Sequence, residues 1–104
     1  MISFVCSVYD RAAEAYGRPM FVASTGVAVR GFTDEVNRED KDNQMFHHPD
    51  DFDLFDLGMF DDMTGTFQLR ENPTVLIRAK DVKSNVSTKF LPKLFHKKLK
   101  ITII

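Results

Sequence analysis

Between His47 and Arg70 the chain reads HHPDDFDLFDLGMFDDMTGTFQLR, a polar approach, an apolar run, a turn signal and a second alternating run. This stretch limits the fold more than any other. In Phe52–Phe60, Asp53 and Asp56 fall three residues apart among Phe, Leu and Met, so no single two-residue alternation fits. A bulge or bend near Asp56–Gly58 accounts for the change of phase. Asp61–Gly65 supplies a tight turn with Gly where a positive φ is needed. Thr66–Arg70 then alternates, with Phe67 and Leu69 predicted to point inward, and Glu71-Asn72-Pro73 is expected to break that strand.

The rest of the chain is read against this hairpin. Ile2–Tyr9 is β-branched and aromatic on both alternating faces, which predicts a strand in the middle of a sheet. Asp10–Gly17 is expected to be a loop with at most one helical turn, ended by Gly17. Pro19 precedes a short strand, Met20–Ala23. Ser24 or Thr25 is a candidate N-cap for a helix over Gly26–Asn37, whose Ala28, Val29, Phe32 and Val36 form one apolar face. Gly31 costs that helix about 1 kcal/mol against Ala and is read as permitting close approach to the sheet. Arg38–Asp51 is expected to be a polar loop interrupted by Met45 and Phe46, with Pro49 keeping His48 out of the α region. Thr74–Ala79 reads as a further short β segment and Lys80–Thr88 as a linker. In Lys89–Lys100, Phe90, Leu91, Leu94, Phe95 and Leu99 fall on one side of a helix that Pro92 can enter only in its first turn. The expectation is an α+β fold: an antiparallel sheet of four to five strands with one main helix on one face. It occupies residues 1–82, followed by a basic amphipathic segment, residues 83–104. One hundred and four residues suffice for one domain and not two.

Charge is distributed unevenly. The net is −1, yet residues 34–71 hold three cations against twelve carboxylates, and residues 72–104 hold eight cations against Asp81 alone. Such a split points to a charged partner or to contact between the two parts. Cys6 is the single cysteine, so neither an internal disulfide nor a thiolate cluster can form within one chain. Its apolar neighbours predict a buried, inert thiol. No signal-peptide pattern opens the chain, and no apolar run approaches the ~20 residues that span a bilayer.

Few residue patterns carry chemistry. His47, His48, Asp50, Asp51 and Asp53 suggest a metal at first sight, but adjacent histidines do not direct both rings at one ion, and neither HExxH nor a calcium loop occurs. Asp61 and Asp62 read as turn caps rather than an acid/base pair. There is no phosphate loop and no nucleophile motif, so neither enzyme activity, nor a metal, nor a cofactor is expected. The cationic set Arg70, Arg78, Lys80, Lys83, Lys89, Lys93, Lys97, Lys98 and Lys100 interleaves with Phe90 and Phe95. That pattern suits single-stranded nucleic acid, an amphipathic helix docked on the protein's own core or on another copy, and a membrane surface; the residues alone leave the three open. Arg30, turned partly outward on the predicted helix, is read as touching a phosphate, pairing with Asp34 or packing.

Taken in order, SVYDRAAEAYGRPMFVAS, VAVRGFTDEVNR and HPDDFDLFDLGMFDDMTG resemble the small nonstructural protein of gokushovirus-type microviruses, tailless phages with circular single-stranded DNA. The matching pieces are Tyr9-Asp10, Pro19 to Phe21, Ala28 to Phe32, His48 to Phe52, Gly58 to Asp61 and Thr64-Gly65. They cover about residues 1–80 and are specific as an ordered set. The resemblance implies DNA binding and a part in turning replication toward single-stranded genome synthesis, in the host cytoplasm, with no catalytic residues. The resulting expectation is a viral accessory protein that binds single-stranded DNA without sequence preference and forms a homo-oligomer. The competing expectation is an adaptor that engages a host or viral replication protein without touching DNA. No membrane partner is expected.

Overall fold

The computed structural model describes residues 1–84; the basic segment Lys89–Lys100 lies outside the described residues. Five antiparallel strands form one curled sheet. They are β1 (Ile2–Asp10), β2 (Ala15–Tyr16), β3 (Met20–Val22), β4 (Phe52–Asp61) and β5 (Thr66–Arg78). The order is β2-β1-β4-β5, with β3 also paired to β1. β1 is therefore internal, as its two apolar faces require.

The main helix, α1 (Thr25–Val36), begins where Ser24 Oγ accepts the Val27 amide, and buries Ala28, Phe32 and Val36. These side chains pack against Cys6 and Leu54 of the sheet and Ala79 of α3 (Ala79–Val82). Directly opposed residues on paired strands share a face. Phe4, Cys6 and Val8 of β1, with Leu54 and Asp56 of β4, thus lie on the helix side.

Several expectations change. Asp10–Gly17 is not a helical turn but a hairpin. Asp10 Oδ1 accepts the amides of Ala12 and Ala13, Glu14 takes φ 56°, and β2 returns to pair Tyr16 with Tyr9. The loop expected over Arg38–Asp51 contains α2 (Gln44–His47) and a 3-10 turn, Pro49–Asp51. Buried Asn43 organises it: its side chain donates to the carbonyls of Glu35 and Arg38 and accepts the Met45 amide. The start of the expected linker, 80–82, is instead helix α3, held by buried Ala79 and by Val82 against the core. Gly31 does not serve close approach, because a Cβ there would meet nothing within 4 Å.

The change of phase in β4 is real and larger than a single bulge. Pairing with β1 passes from Cys6–Asp56 to Val5–Gly58 and skips Leu57. Pairing with β5 passes from Asp56–Thr74 to Gly58–Leu69 and leaves 70–73, with its Asn-Pro, opposite one residue. So Glu71-Asn72-Pro73 interrupts the ladder without ending the strand. Gly58, at φ 140°, is required here: a Cβ would lie 2.7 Å from Leu69 Cα and closer still to the Gln68 carbonyl oxygen. Asp56 secures the irregularity, accepting the Gly58 amide at 3.0 Å and the Arg70 guanidinium at 2.9 Å. The β4–β5 turn has Gly65 at φ 71°, as its turn chemistry predicts.

Candidate functional site

The sheet has one covered face and one open face. With α1 on the side of Cys6 and Leu54, strand alternation sends Val5 and Tyr9 of β1, Phe55 and Phe60 of β4, and their strand partners to the other side. Two aromatic groups form there. Tyr9, Tyr16 and Phe55 meet with ring centroids 4.8 to 6.2 Å apart. Phe21, Phe60 and Phe67, from three strands, meet at 4.7 to 6.2 Å. Their tilted and edge-on geometries are the ones aromatic quadrupoles favour. No described element covers them: Phe21 is 52% exposed, Phe67 51% and Leu69 63%. Phe67 and Leu69 were expected inward and are not. They alternate as anticipated, but their common side is the one without a helix.

One end of this face carries two guanidiniums. Asp53, opposite both Tyr9 and Arg78 and almost wholly buried, accepts Arg11 Nη2 at 2.6 Å and Arg78 Nη1 at 2.9 Å. Arg11 Nη1 also donates to the Asp50 carbonyl oxygen at 2.6 Å. One carboxylate thus fixes two arginines that are each about 40% exposed, leaving donors turned to solvent in a set geometry. The carboxylates of α1's second half and the following loop, Asp34, Glu35, Glu39, Asp40 and Asp42, belong to the helix layer on the opposite side of the sheet. There Arg38 pairs with Glu35 at 2.6 Å and with Asp40 at 3.1 Å. The Arg38 hydrogen bond holds the Glu35 carboxyl below its usual range.

The cations singled out from sequence do not form one stripe. Arg78 stands at the end of the open face. Arg70 is engaged with Asp56 across the bulge. Arg30 is exposed on α1, and among the described residues it has no ion pair with Asp34. Lys80 is exposed on α3, and Lys83 places its Nζ 4.1 Å over the Phe46 ring. Lys89, Phe90, Lys93, Phe95, Lys97, Lys98 and Lys100 lie outside the described residues. Sequence reasoning missed Arg11 and the six aromatic residues. The signal for them was present in the two apolar faces of β1, which need cover on both sides while the chain offers one long helix for one side.

Cys6 is buried beside Asp56; burial chiefly, then the Asp56 charge, pushes its thiol up, so it is an unreactive core residue. Among the described residues no cluster of three or more His, Cys, Asp or Glu could hold a metal. No helix among them is long and apolar enough to cross a membrane.

These features define a small α+β protein with a one-sided sheet and an acidic helix layer. The chain belongs to the Phage ORF5 protein family, whose sequence pattern it matches over residues 3–82. It is 38% identical over 69 residues to Protein ORF5 of Chlamydia phage 1, a microvirus; the match covers 64% of this chain and 72% of that protein. No solved structure matches the chain significantly.

Proposed function

We propose that this bacteriophage protein is a non-enzymatic accessory of viral DNA replication that binds single-stranded DNA without sequence preference in the host cytoplasm and favours single-stranded genome synthesis. The observation that supports this most is the open aromatic face with its fixed pair of arginines. Single strands are bound by stacking bases on aromatic rings beside cations that take the phosphates, and a stacked base contributes about 1–3 kcal/mol. Tyr9 is opposite Asp53 in the ladder, Tyr16 is opposite Tyr9, and Phe55 follows Asp53 by two residues on the same face, so the three rings adjoin the Arg11–Arg78 pair. The carboxylates of the helix layer, which would repel phosphates, are on the far side. The lysines beyond residue 84 add cations that an otherwise acidic body needs, and an oligomer would lengthen the strand bound.

A second reading has its own support. Beyond Arg11 and Arg78 the open face offers Phe67, Leu69 and Val75, an apolar surface suited to a protein partner such as a host or viral replication protein. Anisotropy of a labelled oligonucleotide across a salt series separates the two. Binding that falls steeply with salt and weakens about tenfold in Tyr16→Ala supports DNA binding. Absence of binding at low salt overturns it and leaves the adaptor.

A further inference from the structure

The covered side of the sheet is not completely filled. Between α1, β3 and α2 runs an apolar groove of about 450 Å³, walled by Met20 and Val22, by Val27 and Gly31 of α1, and by Met45. Glu35 is the charged side chain among the groove's lining residues. Gly31 keeps it open, since nothing occupies the space its Cβ would enter. Val27, 40% exposed, leaves an aliphatic surface uncovered on an otherwise polar helix flank.

The chain leaves the described body at the C-terminal end of α1, on the flank that faces α3 and not the groove. The Ser84 amide donates to Asn37 Oδ1 at 2.6 Å, at the C-terminus of α1. Asn37 Nδ2 donates to the Val82 carbonyl oxygen at 2.9 Å. Lys83 lies over Phe46, the neighbour of the groove residue Met45. From Asn37 back to Gly31 is about 9 Å along the helix axis, and the segment has to pass round the end of α1 to reach it. The five steps from Ser84 to Lys89 reach about 17 Å when extended.

Charge agrees with this path. Residues 85–104 contain five lysines and no carboxylate, with Phe90, Leu91, Leu94, Phe95 and Leu99 among them. Glu35 lines the groove, and the end of α1 with the loop after it holds Asp34, Glu39, Asp40 and Asp42 against Arg38 and Lys41. The partial negative charge of a helix C-terminus adds to the attraction for cations.

From the groove, the exit point and the charge match, we infer that the groove is the docking site of this chain's own residues 89–100. Their apolar side chains enter it and their lysines face the carboxylates of α1 and the loop after it. DNA then competes with the helix layer for the same lysines, so the docked segment restrains DNA binding. The docking itself does not depend on the DNA reading.

Zero-length carbodiimide coupling of dilute full-length protein, without DNA, tests this by mass spectrometry of the joined peptides. The expected products join Lys93, Lys97 or Lys98 to Glu35, Glu39 or Asp42 within one chain. A mixture of isotopically light and heavy protein distinguishes one chain from two; products mainly between chains overturn the proposal in favour of a second copy. Gly31→Phe fills the groove from a position with open space and is expected to reduce the yield at least fivefold. Phe95→Ser leaves the groove intact and is expected to give the same loss. Unchanged yield in both, or coupling spread evenly over all acidic residues, overturns it.

Discussion

The two faces of the sheet are built from the same strands and nearly the same residue types, yet one is core and the other is surface. On the helix side Cys6 and Leu54 are wholly buried beneath Phe32 and Val36. On the other, Tyr9, Tyr16 and Phe55 form one group of touching rings and Phe21, Phe60 and Phe67 a second, and half the surface of Phe21 and Phe67 meets water. The difference is one of cover and not of hydrophobicity. A face left bare in a protein with an acidic opposite side is the natural place to seek a partner.

That comparison can be broken most severely at the residue that holds the two halves of β4 in register. Gly58→Val would drive a side chain into the β5 backbone and a positive φ, and should cost about 3 kcal/mol or more; a denaturant midpoint that hardly moved would show that β5 can retreat. Truncation on the covered face comes next. Leu54→Ala is expected to lose about 2–5 kcal/mol with little effect on oligonucleotide affinity beyond that of unfolding. Phe67→Ala, on the bare face, should cost at most about 1 kcal/mol while weakening a DNA or protein partner more than it weakens the fold. If the two substitutions destabilise equally, the open face is structural.

Asp53→Asn tests whether the carboxylate holds its arginines. A loss of about 1–3 kcal/mol is expected, with a flatter salt dependence of DNA binding. At the small end, Glu35→Gln removes a half-exposed pair and should cost about 0.2–1 kcal/mol. Because the folded carboxyl titrates below its usual range, its contribution is present above the ordinary glutamate value and fades as acid protonates it in the native state. The wild type should therefore lose slightly more stability than the variant on acidification.

Much of this architecture was readable in the residues. β1 announced itself by two apolar faces, α1 by the spacing of Ala28, Phe32 and Val36 behind Ser24, and the hairpin by Gly65. The side on which Phe67 and Leu69 emerge was not readable, because alternation shows which residues share a face and not which face a helix will cover. Asp53 and Asp56 showed in the residues only as a break in alternation, since their partners Arg11, Arg70 and Arg78 stand 14 to 42 positions away. The β1–β2 hairpin was hidden because two residues of strand leave no pattern, and Tyr16 is held by a ring contact with Tyr9 rather than by propensity.

The placement of β1 has a kinetic consequence. Of the five described strands the earliest in the chain occupies the interior of the sheet, and its longest pairing is with a segment some fifty residues downstream. Until that segment arrives, the edge of β1 that β4 will pair has only solvent for its amides and carbonyls, since β2 and β3 line the other edge. Distant pairings slow a chain's search for its fold, so nascent molecules pass through a stage when they are open to edge-to-edge association. Synthesis at a high rate would press hardest on that interval, before the mature protein has met any partner at all.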